Sequence, residues 1–242
     1  MSFVITIVTQ EGIVMASDSR LTINGVRQVD GNTVVDPAVS QSDTSYKTFL
    51  AGETIGISTF GAATIQGVPL SGYIDAFILE KVSSNVTIEN IPPLLMAYMK
   101  SLPEVIDAGF HIAGYTTKDG KKEPYVSRIF TNGERIDNFV PSQQIRGVIW
   151  DGESDVMIRM IYSNLFLQDE QGNFNQLPNY AIPFDMFTLQ DAIDFAVYAV
   201  RVTSDTMRFQ LRYKTVGGPV DVLVIKPERA TWLQRKELYL DK

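Results

Sequence analysis

The chain has 242 residues, no cysteine, one histidine and a net charge of −7, from 21 Lys and Arg against 28 Asp and Glu. That length can bury a large core, and acidity without a basic block argues against nucleic acid or an anionic membrane surface as a partner. The lack of cysteine excludes disulfides, thiolate catalysis and cysteine-ligated metal, and the lone His111 excludes any site within one chain that needs two imidazoles, so catalytic chemistry must come from oxygen or amine groups. No apolar run reaches the roughly eighteen residues of a membrane span, and the N-terminus lacks the charged and apolar regions of a signal peptide. We expect a soluble, cytoplasmic protein.

Val4 to Val8 is largely β-branched and too short for a helix, so it reads as a strand buried on both faces. Gln10-Glu11-Gly12 is a turn signal, and Ile13 to Ala16 returns as a second strand, delivering Ser17-Asp18-Ser19-Arg20 beside the start of the chain. Ser2 then sits at the origin of a strand with an aspartate for a neighbour. Met1 is read as the one residue to be removed ahead of it. A free α-amine on Ser2, with a pKa of about 7.7–8.0, can act as base for its own hydroxyl near neutrality, which is the chemistry of an N-terminal nucleophile.

Leu21 to Ser45 is polar, broken by Asn24-Gly25, Asp30-Gly31-Asn32 and Asp36-Pro37, and reads as an excursion with weak strands. Tyr46 to Leu50, a turn at Ala51-Gly52-Glu53 and a return over Ile55 to Phe60 read as a second hairpin. Helical spacing follows from Ala62 to Val82, weakened early by Gly67, Pro69 and Gly72 and firm from Ser71. A second helix starts after Ile91 with Pro92-Pro93 in its first turn.

Alternation resumes over Phe110 to Tyr115 and Tyr125 to Phe130, with turns at Lys118-Asp119-Gly120 and Thr131-Asn132-Gly133. Ile145 to Trp150 is a further strand, which Asp151-Gly152-Glu153-Ser154 turns into a helix ending near Asn164. Leu165 to Ile182 reads as a loop. Thr188 caps the best helix of the chain, with Ile193, Val197, Val200 and Ser204 along one side to Arg208. Val216-Gly217-Gly218-Pro219 introduces a strand from Val220 to Ile225, and a weakly amphipathic segment runs from Ala230 to Leu240. No repeat, linker or second domain is evident, so residues 1–242 read as one domain. The element order implies an α+β fold in which two antiparallel sheets lie stacked between helical layers, a four-layer α-β-β-α sandwich.

The stretches GIVMASDSR, YKTF, IGISTFGAA, FHIAGY, and TSDTMR followed by VGGPVDVLVI, in this order and spacing, resemble the β-type proteasome subunits of the N-terminal nucleophile hydrolases. The bacterial proteasome homologues such as the Anbu group are the most similar. The resemblance spans nearly the whole chain. It places the family's nucleophile on Ser2, with Ser in place of Thr, its acidic residue on Asp18, its active-site lysine on Lys47 and its oxyanion donor, a backbone N–H, on Gly61. Asp18 follows Ser2 by 16 residues and Gly61 follows Lys47 by 14, as the family pattern requires. In that family the lysine keeps the local field positive and the aspartate orients it. Ser154 and Asp205 are further site residues implied by the resemblance.

The resemblance also implies a homo-oligomer, a peptide or protein substrate and no metal or cofactor, and leaves a partner ATPase open. Two function classes follow. One is a peptidase or amidase with Ser2 as nucleophile; the other is a catalytically inactive proteasome-like assembly or binding subunit. Each residue taken alone has a plainer reading: Ser is a frequent second residue, Asp18 a turn residue, Lys47 a solvated charge, His111 a core or interface residue and Gly217-Gly218 a tight turn.

Overall fold

The computed structural model describes residues 2–83, 86–139, 147–162, 165–178 and 180–238. The expectations that fall on Met1, Ile145, Arg146, Asn164, Asn179, Tyr239 and Leu240 lie outside the described residues.

The opening hairpin forms as its alternation dictates. β1 (Phe3–Val8) and β2 (Ile13–Ser17) pair antiparallel with Val4 opposite Ser17, and nearly every residue in them is buried. Period-two geometry then sorts their side chains. Phe3, Ile5, Ile7, Val14 and Ala16 share a core with the long helix described below, whereas Ile13 and Met15 point the other way into a core with Ala113 and Val126.

The polar stretch that follows is more regular than its composition suggests. β3 (Leu21–Val29) and β4 (Asn32–Ser42) form a long two-stranded ribbon with an irregularity between Ile23 and Gly25. Its turn places Asp30 at φ 51° and Gly31 at φ 80°. Positive φ at both central residues matches the right-handed twist of the strands, which explains why a ribbon persists where apolar alternation is weak.

β5 (Thr48–Ala51) and β6 (Ile55–Gly61) make the second hairpin. A small hairpin of β7 (Thr64–Ile65) and β8 (Val68–Pro69) replaces the weak early turns of the expected helix, and α1 (Leu70–Lys81) begins directly after Pro69. α2 (Ile91–Ser101) carries its prolines in the first turn, where no intrahelical N–H is required. β9 (Ala108–Lys118), β10 (Lys121–Phe130) and β11 (Arg135–Phe139) form a meander, with β11 an addition to the expected strands.

β12 (Val148–Gly152) leads into α3 (Asp155–Ile161). The expected loop after it contains a short ribbon of β13 (Phe166–Gln168) and β14 (Phe174–Gln176). α4 (Leu189–Phe209) opens on a capping box: Thr188 Oγ1 accepts from the Asp191 N–H while the Asp191 carboxylate accepts from the Thr188 N–H. Its buried face differs from the expected one. Ala192, Ala196, Ala199, Val200, Thr203 and Met207 are buried and Ile193 and Val197 flank them, so the helix lies on the sheet through small side chains. β15 (Asp221–Ile225) and β16 (Ala230–Gln234) are the last elements among the described residues, and β16 is a strand where a weakly amphipathic segment was expected.

The result is a mixed fold of helices and antiparallel sheets. Among the described residues, two sheets have five strands each, ordered β12-β1-β2-β15-β16 and β11-β10-β9-β6-β5. One core joins the second sheet to α1 and α2 through Ile57, Phe110 and Ile112 with Ile74, Phe77 and Leu95. Another joins the first sheet to α4, and a third holds Ile13, Met15, Leu223 and Ile225 against Ala113 and Val126. Among the described residues no helix is long and apolar enough to cross a membrane.

Candidate active site

The start of the chain is fixed by one carboxylate. Asp18 follows β2, and its Oδ1 accepts the Phe3 backbone N–H at 3.0 Å and Lys47 Nζ at 2.7 Å. Its Oδ2 accepts the backbone N–H groups of Arg20 at 3.1 Å and Gly217 at 3.0 Å. Asp18 is 0 % exposed, Lys47 3 % and Ser2 4 %, so the ion pair and the residue beside it are shielded from water. Four donors on one carboxylate offset its desolvation. Ser2, Asp18 and Lys47, separated by up to 45 residues in sequence, are therefore brought together at the mouth of the first hairpin.

Ser2 is held from its other side as well. The Glu153 N–H donates to the Ser2 carbonyl at 2.8 Å. Gly152 has φ 91°, and a Cβ there would lie 1.8 Å from the Ser2 carbonyl oxygen, so only glycine lets β12 approach. Lys47 is gripped by its own neighbours. Thr48 Oγ1 donates to Ser17 Oγ at 2.8 Å and shares a hydrogen bond of 2.9 Å with Ser58 Oγ, which ties β5 and β6 of one sheet to β2 of the other.

Gly61 ends β6 at φ 87°, where a Cβ would meet the Asp107 carbonyl at 2.6 Å. With Gly152, Thr22, Asn24, Thr64 and Asp107 it lines a cleft of about 770 Å³. The cleft thus reaches from Gly61 to the glycine that touches Ser2. Ser154 begins α3 with its N–H on the Gly152 carbonyl at 2.9 Å, and its hydroxyl makes no hydrogen bond among the described residues. Asp205 is exposed on α4 and lines a separate small cavity of about 210 Å³ with Ser204, Gly218 and Pro219. Among the described residues no hydrogen bond joins Ser154 or Asp205 to Asp18 or Lys47.

Burial pulls the Lys47 ammonium below the usual lysine range; the neighbouring Asp18 carboxylate opposes this, and the positive charges of Lys236 and Arg20 add to it. Arg20 forms a bidentate pair with Asp43, at 2.6 and 2.7 Å, which raises its proton affinity further and holds the Asp43 carboxyl low. Among the described residues no group of three or more His, Cys, Asp or Glu side chains is placed to hold a metal ion.

No family model and no curated protein matches this chain.

Several contributors carry little signal in the sequence. The Phe3, Arg20 and Gly217 contacts to Asp18 are backbone N–H groups, which no side-chain pattern announces. Gly217, read as a turn residue, also makes room for Arg20: a Cβ there would lie 2.5 Å from its guanidinium carbon. His111 is fully buried, as a core residue should be. Its Nε2 lies 2.9 Å from Asp151 Oδ2 and its Nδ1 3.0 Å from Thr6 Oγ1. Because the carboxylate can only accept, Nε2 carries the proton and Nδ1 accepts from the Thr6 hydroxyl. Burial pulls the imidazole below its usual range, against the opposing pull of Asp151.

Proposed function

We propose that this chain is an N-terminal nucleophile peptidase or amidase of proteasome β-subunit type, with a four-layer α-β-β-α arrangement in which the three cores described above separate successive layers. The reading is supported above all by one observation: Lys47 and the Phe3 N–H share Asp18 Oδ1, which puts a buried cation one residue from Ser2.

In this mechanism, removal of Met1 frees the Ser2 amine. Ser2 Oγ attacks the substrate's amide carbonyl while the amine takes the hydroxyl proton and hands it to the leaving amine. An ester on Ser2 remains, and water hydrolyses it with the amine again acting as base. Lys47 holds the local field positive, which favours the neutral amine and the oxyanion, and Asp18 fixes Lys47 in place. Gly61 supplies a backbone N–H to the oxyanion, in keeping with its position on the cleft wall. Peptide or protein segments bind along the cleft. Ser154, whose N–H donates to the carbonyl of Gly152, supports Ser2 from the start of α3, and Asp205, on its separate cavity, takes no part in this mechanism.

The protein acts in the cytoplasm as a homo-oligomer. Phe166 and Phe174 on one face of the β13–β14 ribbon and Leu165 and Leu167 on the other, 54–70 % exposed, offer apolar contact to a second copy. The functional reading is tested by substitution at the nucleophile. Ser2→Ala should abolish hydrolysis of small peptide amides and Ser2→Thr should retain part of it, because only Thr keeps a hydroxyl beside the amine. Equal rates for Ser2→Ala and the unsubstituted protein would remove Ser2 from the mechanism.

A further inference from the structure

A second buried lysine–aspartate pair lies behind the first. Lys236 Nζ is bonded to Asp221 Oδ2, and the Lys236 backbone N–H donates to Asp221 Oδ1 at 2.8 Å. Asp221 is 0 % exposed and Lys236 9 %. Nothing in the Ser2 mechanism uses either residue, and a buried ion pair is a costly way to hold a C-terminal segment when apolar side chains would serve.

Both partners abut the residues that flank Lys47 and Asp18. Asp221 stands opposite Ser17 in the β15–β2 register, and Ser17 precedes Asp18 and accepts from Thr48, the residue after Lys47. Lys236 Nζ lies 4.4 Å from the ring centre of Tyr46, the residue before Lys47, and the Tyr46 hydroxyl donates to the Lys236 carbonyl at 3.1 Å. Arg235 covers the same ring at 4.8 Å. Lys47 is thus held from both sequence neighbours by contacts that lead to this pair.

We propose that Lys236, anchored by Asp221 against Tyr46, is a positioning residue of the Ser2 site that fixes Lys47 from behind and supplies the site's second buried positive charge. The proposal rests on the N-terminal nucleophile reading for its catalytic meaning. The charged groups acting on Lys47 are Asp18, Asp43, Arg20 and Lys236. Arg20 is neutralised by its bidentate partner Asp43, and Lys236 is paired with Asp221. With Lys236 charged, Lys47 gives up its proton more readily, and the same field favours a neutral amine on Ser2.

The test is NMR titration of lysine side chains, isotopically labelled at the terminal amine, in the full chain with Lys47 assigned by Lys47→Met. In Lys236→Met the Lys47 midpoint should rise by roughly half a unit to one unit, the effect of losing one nearby like charge. Lys236→Arg, which keeps the charge, should leave it in place. An unmoved midpoint in Lys236→Met, or an equal rise in Lys236→Arg, would overturn the proposal. If Lys236→Met does not fold because Asp221 is left unpaired, Lys236→Gln, whose amide can still donate to Asp221, removes the same positive charge and should show the same rise. In an active protein the alkaline limb of the kcat profile, where Lys47 loses the charge that the mechanism uses, moves with the Lys47 midpoint. A protein that hydrolyses no peptide but shows the shift keeps the charge coupling and loses the peptidase reading, so the two failures are distinct.

Discussion

Lys47 Nζ and the Phe3 backbone N–H meet on a single atom, Asp18 Oδ1, at 2.7 and 3.0 Å. The residue that follows the proposed nucleophile and the proposed catalytic cation therefore depend on the same carboxylate. Read alone in the sequence, Lys47 is a solvated charge; its 3 % exposure means that its removal also has a structural cost.

Lys47→Met keeps most of the stem and removes the charge. Peptidase activity should fall by about a hundredfold to a thousandfold, the scale on which one preorganised electrostatic contact acts. Stability should fall by about 3 kcal/mol, the lower end for a broken buried pair, because Asp18 keeps three backbone donors. Hydrolysis rates and urea midpoints of the same preparations check both numbers.

Asp18→Asn should be the more damaging change. An amide nitrogen must face either the Phe3 and Lys47 donors or the Arg20 and Gly217 donors, and each orphaned buried donor costs about 1–3 kcal/mol. A lower urea midpoint for Asp18→Asn than for Lys47→Met is the expected result. The reverse order would show that Asp18 only orients the lysine.

Gly152→Ala tests how Ser2 is held. Its Cβ would overlap the Ser2 carbonyl oxygen at 1.8 Å in a left-handed backbone, so Ser2 must move. Activity should be lost with a drop in melting temperature, whereas Gly31→Ala, where a Cβ meets nothing, should leave activity intact and cost only backbone strain.

His111 makes stability depend on pH. Its folded-state pKa lies below the unfolded value of about 6.5, so between those two values the unfolded chain binds more protons and stability rises with pH. Acidification through pH 6.5 should therefore weaken the fold progressively until the depressed value is passed. Urea midpoints between pH 5 and 8 should show this slope, and His111→Gln should flatten it.

Much of this arrangement is legible in the sequence for identifiable reasons. The β1–β2 hairpin follows from alternating β-branched residues around a turn, and it alone brings Asp18 to the chain's start. The Lys47 and Gly61 positions come from the resemblance and its spacing. The β3–β4 ribbon is hidden by its polar composition, although Asp30-Gly31 marks its turn. The buried face of α4 is lined by alanines, which weigh little in an apolar periodicity beside Ile193 and Val197. The Asp221–Lys236 pair spans a hairpin whose register shifts between Val222 and Leu223, so no fixed spacing predicts it. The remaining ligands of Asp18 are main-chain groups, which leave no residue signature.

The most direct measurement is intact-mass and peptide-level mass spectrometry on protein from cells with normal methionine excision, before and after exposure to a peptide β-lactone. The account expects a chain beginning at Ser2 that gains one acyl group, located on Ser2 and absent from Ser2→Ala. A chain that keeps Met1 and still hydrolyses peptide amides at full rate, or one that begins at Ser2 and gains no acyl group, would contradict it.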